Sequence, residues 1–164
     1  MATRENVGSW LEGGPSGDDE RRGSGLGLPA EGRGSLARLG RRIGALTVDW
    51  VLSLAISATF FPVAGQTAFL QRANGMVTLA IFAVENVLLV GTIGFTVGHR
   101  LFGLRVRRAG STPDGPLPDD GRAPGLVRAL GRTALLCLVV PAVVWDADGR
   151  GLHDRAAGTA IVRR

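Results

Sequence analysis

The sequence contains no lysine and no tyrosine, a single cysteine, two histidines and two methionines. Each scarcity excludes something. Without lysine, all 19 basic residues are arginines, and the Gly-rich phosphate loop that ends in Lys-Ser/Thr cannot be built. A lone cysteine, Cys137, allows no intrachain disulfide. It lies in the apolar run TALLCLVV and reads as a small hydrophobe. Two histidines, His99 and His153, with no cysteine cluster beside them leave no zinc set. No G-x-S-x-G element and no H-E-x-x-H element occurs. The D-x-D-G fragment at Asp146 and Asp148 lacks the remaining acidic positions of a calcium loop and reads as a turn. These absences predict no catalytic activity, no cofactor and no metal site. Arginine in place of lysine, together with 25 glycines, suggests a GC-rich, bacterial genome.

What is present is apolar surface in long blocks. Mean hydropathy is positive although 20% of the residues are charged. The two coexist because uncharged blocks alternate with Arg-rich blocks, the pattern of a multi-pass membrane protein. The net charge of +5 raises nucleic-acid binding. The arginines, however, flank apolar segments and no nucleic-acid motif accompanies them. Attraction to anionic headgroups is the simpler reading, so the expected partner is the lipid bilayer and not nucleic acid.

Residues 1–35 are rich in Gly and mixed charge and poor in large apolar groups, which predicts a disordered cytoplasmic tail. The remainder, 36–164, reads as one membrane domain. Its first apolar segment covers about 43–64 and its second about 76–97, each with the ~20 residues a span requires. A third, about 126–145, is interrupted by Pro141 and flanked by Arg128 and Arg132. Its length suits either a short span or a re-entrant element. The expected fold class is all-α integral membrane, with two to three transmembrane helices and a small cytoplasmic β-ribbon. The ribbon is suggested by alternating polarity at Leu104-Arg105-Val106-Arg107 and Ala160-Ile161-Val162-Arg163.

Seven arginines precede the first segment, one separates it from the second, seven lie between Gly98 and Arg132, and four follow Asp146. The positive-inside rule then places the N-terminus in the cytoplasm of a plasma-membrane protein. The four C-terminal arginines also favour the cytoplasm, which a third complete crossing would deny them.

Each apolar segment of spanning length holds one carboxylate: Asp49 in the first and Glu85 in the second. An ionisable group in a span costs roughly 2.5–3.5 kcal/mol on insertion scales and is a functional candidate by default. Arg42 and Asp49, seven residues apart, lie on one helix face about 10 Å from each other. Counting from the segment ends puts Asp49 about 9 Å and Glu85 about 20 Å from the same surface, at different depths. Two readings stay open. Asp49 and Glu85 handle a cation or proton in sequence, or Asp49 is neutralised by Arg42 or Arg132 and Glu85 is protonated or bonded to Asn86. Gly94 and Gly98 form a G-x-x-x-G that predicts close helix packing, within the chain or between subunits.

Three stretches together resemble the RDD family of bacterial membrane proteins, named for one arginine and two aspartates. In RRIGALTVD, Arg42 and Asp49 match the arginine and the first aspartate. GFTVGHRLFGLRV is similar to the family's G-x-T-x-G-K-x-L-x-G-L-x-V stretch, with Thr96 and Gly103 in place and His99 where lysine is usual. In GLHDRAAGTAIV, Asp154 matches the second aspartate and Thr159 the threonine after it. The resemblance covers Leu36 to Arg164. It implies a multi-pass membrane domain in which Arg42, Asp49 and Asp154 form a polar lock, and it implies no particular activity. The expected role is structural or accessory. The alternative is a small ion- or proton-coupled transporter acting as a homo-oligomer or with another membrane protein, since two or three helices rarely enclose a pathway.

Overall fold

The computed structural model describes residues 23–112, 115–116, 119–138 and 150–164. Most of the expected N-terminal tail and the far part of the third apolar segment, with Pro141, lie outside the described residues.

Helix α1 runs Leu39–Phe60 and helix α2 runs Gly75–Ile93. Both are long and apolar enough to cross a membrane. Helix α1 lies four residues earlier than hydropathy suggested. At its far end Phe61 precedes Pro62, and a residue before proline is excluded from helical backbone, so the helix stops at Phe60. At its near end Arg41 and Arg42 are good helix formers, and their charged ends find partners on later elements. Arg41 donates from Nη1 to the carbonyl of Phe102 at 3.2 Å, and Arg42 reaches Asp154.

The two helices form an antiparallel hairpin. The Ser57 hydroxyl donates to the Asn74 carbonyl and accepts from the Asn74 amide, both at 3.2 Å. Asn74 caps α2, its side chain accepting from the amides of Met76 and Val77. Further along, Trp50 meets Phe82 edge-on at 5.5 Å. These contacts set the register, and the register puts Glu85 within about one turn of the level of Asp49. The expected difference in depth is therefore absent. It assumed that both segments reach the same surface, whereas the chain after α2 folds back onto α1.

Polarity in this hairpin is inverted relative to a helix on a water-soluble core. The buried face of α1 carries Ala45, Asp49, Ser53 and Ser57 at four-residue spacing. Its exposed face carries Ile43, Leu46, Trp50 and Val51. Helix α2 likewise buries Thr78 and Asn86 and exposes Met76, Val84, Leu88 and Ile93.

Helix α2 is π-helical from Asn86 to Val90, and it ends at Gly94, whose φ of +83° suits glycine. A short helix α3, Val97–Leu101, follows. Gly94 and Gly98 therefore occupy different helices, and the expected G-x-x-x-G packing ridge does not form. Of the two, Gly98 is the one pressed against α1: a Cβ there would lie 2.1 Å from the Ala45 carbonyl oxygen, whereas Gly94 approaches the Val106 carbonyl.

Strand β1, Leu104–Arg108, pairs antiparallel with the C-terminal strand β2, Thr159–Arg163, with Leu104 opposite Arg163 and Arg108 opposite Thr159. The other edge of β2 receives the chain just before α1. The Ala37 amide donates to the Ile161 carbonyl, and the Arg163 amide donates to the Ser35 carbonyl. Between the strands come helix α4, Leu126–Cys137, and helix α5, Leu152–Ala156. The apolar core sits where ribbon and helices meet, with Leu104, Val106 and Ile161 against Ala45, Val90 and Ala129. The ribbon thus places the C-terminal tail at the same end of the helices as the start of α1.

Candidate functional site

Two buried polar clusters lie between α1, α3, α4 and α5. The first is built on Asp49. Its Oδ2 accepts from the Thr96 hydroxyl at 2.6 Å, and its Oδ1 accepts from the Gly98 amide at 2.6 Å. The local sequence explains the geometry. Thr96 is the N-cap of α3, with extended backbone, and its hydroxyl accepts from the His99 amide at 3.1 Å. His99 Nδ1 lies 2.6 Å from the same hydroxyl and 3.4 Å from the Thr96 amide, completing a capping box. The absent side chain of Gly98 lets the start of α3 press onto α1 and aim its amides at the carboxyl. Helix N-termini suit carboxylates for this reason.

The second cluster is built on Asp154, which is fully buried. Arg132 Nε donates to its Oδ1 at 2.7 Å, and the Thr159 hydroxyl donates to the same oxygen at 3.1 Å. On the Oδ2 side stand His153 Nε2 at 3.5 Å and Arg42 Nη1 at 4.0 Å. Burial alone would raise the Asp154 pKa. The positive groups Arg132, His153 and Arg42 outweigh it and hold the carboxyl down at about 2. His99 moves the other way for a histidine. Burial, then the nearby charges of Arg132 and Arg42, push its imidazole down to about 3 against the pull of Asp154, so the ring is neutral.

A partly open cavity of about 80 Å³ separates the clusters, with Arg42, Asp49, Asn86, His99, Arg132 and His153 among its walls. Arg132 Nη1 is buried there without a hydrogen-bond partner among the described residues. Such a space is polar enough and large enough for water.

The chain belongs to the RDD family. The family model matches residues 36–158, which takes in both clusters apart from Thr159. No curated protein matches the chain, and no solved structure does.

The three residues that the sequence matched to the RDD signature are divided by the fold. Arg42 and Asp154 share the second cluster, while Asp49 belongs to the first. Arg42, on the same helix as Asp49, takes its ion-pair contact from α5 instead. Of the stretch after α2, Thr96 and His99 build the Asp49 site. Gly103, at φ +64°, turns the chain into β1 and accepts at its carbonyl from the Arg164 amide. Glu85 faces Asp49 and the Ser53 side chain. Ser53 donates its hydroxyl hydrogen to the Asp49 carbonyl at 2.9 Å, and both Glu85 oxygens are buried without a partner in hydrogen-bond geometry among the described residues. Thr92 is exposed, and its hydroxyl donates to the Leu88 carbonyl.

Sequence reasoning undervalued Arg132 and His153. Arg132 read as a flank of the third apolar run and as one candidate to neutralise Asp49. In the fold Arg128, one turn earlier, is exposed, while Arg132 is buried. The hint was amphipathic spacing within α4: Ala129, Arg132 and Thr133 share its buried face.

Proposed function

We propose that this RDD-family protein is a non-enzymatic, multi-pass plasma-membrane protein with a cytoplasmic N-terminus, acting as a structural or accessory membrane unit. The membrane reading is supported by the inverted hairpin, with large apolar side chains outward and Ser, Thr, Asn and Asp inward. That arrangement suits a lipid exterior, where polar groups must be satisfied inside. Arg-rich flanks at the ribbon end favour the cytoplasmic side for both the start of α1 and the C-terminus.

The observation that carries the structural role is the burial of Asp154 against Arg132 and Arg42. It ties α1, α4 and α5 to the ribbon with charged groups that only the assembled domain can satisfy. The bilayer is the expected partner, and the exposed apolar faces suit a second copy or another membrane protein.

A second reading, a small proton- or ion-coupled transporter working as an oligomer, is favoured by Glu85. Its two oxygens lie buried on the face that looks at Asp49 and Ser53. The readings separate in liposomes holding the purified protein, where cation flux is driven by a pH gradient. Flux lost in folded Asp49→Asn or Glu85→Gln supports transport; no flux from folded wild type leaves the structural role. Sidedness is tested by placing a cysteine after Asp154 in a Cys137→Ala background. Labelling from outside the cell would defeat the cytoplasmic ribbon.

A further inference from the structure

Asp49, Thr96 and His99 form a chain of three groups joined by two short hydrogen bonds, each 2.6 Å. The hydroxyl in the middle has one hydrogen. Two bonds need two hydrogens, so the second must come from an end: Asp49 protonated at Oδ2, or His99 protonated at Nδ1. Both arrangements satisfy every other contact except that of the Thr96 amide. The Gly98 amide donates to Oδ1 in either. The His99 amide donates to the Thr96 oxygen in either, and the oxygen retains one lone pair for the end that carries the hydrogen. The Thr96 amide, 3.4 Å from Nδ1, suits the arrangement in which Nδ1 is bare.

We propose that these three residues are a proton-binding relay that loads Asp49 from the cavity through a tautomer change of His99. In the unloaded state Asp49 is a carboxylate, Thr96 donates to it, and His99 Nδ1–H donates to Thr96. A proton from cavity water adds to Nε2. The Nδ1 hydrogen passes to Thr96 Oγ1, and the original hydroxyl hydrogen passes to Asp49 Oδ2. One N–H bond forms at Nε2 and one breaks at Nδ1. One O–H bond is exchanged at Thr96 and one forms at Asp49. The loaded state holds one more proton than the unloaded state, and the step reverses when that proton returns to the cavity.

The surroundings fit this use. The hydrogen bonds of the imidazole among the described residues are all at Nδ1, and the ring is part of the cavity wall. His99 faces Arg42 from α1, Arg132 from α4 and Asp154 from α5. Two cations against one anion, with burial, disfavour an imidazolium, so the ring passes a proton on without storing its charge. Asp49 faces Arg132 from α4, Thr96 and Gly98 from α3, and Glu85 from α2. A lysine at position 99 could not do this, because an ammonium has no second nitrogen through which to relay. The relay supplies a step that the transporter reading would use, and it is read out without any flux.

The test uses the full chain in lipid nanodiscs. Infrared difference spectra follow the protonated carboxyl band that Asp49→Asn removes. Spectra of isotope-labelled histidine, assigned with His99→Gln, follow the tautomer. In wild type the carboxyl band should appear with the same pH midpoint as the change from Nδ1–H to Nε2–H. Thr96→Ser, which retains the hydroxyl, should preserve that shared midpoint. Thr96→Val should split it, and Asp49→Asn should abolish the tautomer change. A His99 tautomer that stays fixed while Asp49 titrates in wild type overturns the relay, whether or not the variants fold. So does a shared midpoint that survives in folded Thr96→Val. A shared midpoint in protein that carries no flux upholds the relay and counts against transport.

Discussion

Arg132 Nε donates to Asp154 Oδ1 across 2.7 Å, and both residues are cut off from solvent. A buried pair is often no more stabilising than a well-packed apolar pair, but removing one partner leaves the other charge uncompensated. Arg132→Met and Asp154→Leu should therefore each lower stability by roughly 3–5 kcal/mol. The double variant should recover much of that loss. Thermal unfolding in detergent of the two singles and the double measures the coupling; strictly additive losses would show that the pair does not act as one.

Asp154 also sets an acid limit. Its folded pKa is about 2, below the ordinary value near 3.9. A depressed carboxyl contributes stability that is present above the unfolded pKa and fades as pH falls through the folded one. The loss should therefore run from about pH 4 to about pH 2 and total roughly 2 kcal/mol. Denaturation followed across that interval should show this slope in wild type and a shallower one in Asp154→Asn.

His99 acts over a higher interval. Its folded pKa, near 3, lies below the ordinary 6.5. Below pH 6.5 the unfolded chain takes up a proton that the folded chain refuses, so stability falls with pH, by about 1.4 kcal/mol per unit at most. The loss begins near pH 6.5 and continues toward pH 3. In His99→Gln the portion between pH 6.5 and 4 should flatten. An unchanged slope would mean that His99 is solvated.

Gly98 and Gly131 provide a paired test of packing. A methyl at position 98 meets the Ala45 carbonyl oxygen at 2.1 Å, and backbone cannot yield cheaply. Gly98→Ala should cost roughly 3 kcal/mol or more and separate α3 from Asp49. At Gly131 on α4 nothing lies within 4 Å, so Gly131→Ala should stabilise by up to about 1 kcal/mol through helix propensity. Comparable effects at the two sites would contradict the close approach of α3 to α1.

The helical hairpin was legible in the sequence because helices long and apolar enough to cross a membrane appear as long runs with few charges, and these are local properties. The alternation at Leu104–Arg107 and Ala160–Arg163 likewise marked two strands, since a period of two is read within four residues. The side of the C-terminal tail stayed open in the sequence, because its arginines and a third complete crossing pull opposite ways; the strand pairing sets it beside the start of α1. The bounds were less legible, because Arg41 and Arg42 look like a flank until the partners that draw them into the helix are known. The short pairing of Ser35–Ala37 with β2 left no signal, since one or two bridging residues carry no period.

What the sequence determined by itself is therefore the two long helices, the two ribbon strands, the family stretches and the chemical identity of the polar residues. Only the tertiary structure decided which of those residues meet. Arg42 and Asp49, neighbours on one helix face, take different partners, one from α5 and one from α3. Gly94 and Gly98, spaced like a packing ridge, are parted by a positive φ that ends α2. Asp49 and Glu85, at unequal distances from their segment ends, lie at nearly one level because the hairpin register sets depth. In each case the deciding contact joins groups far apart along the chain, and no local pattern of residues encodes such a choice.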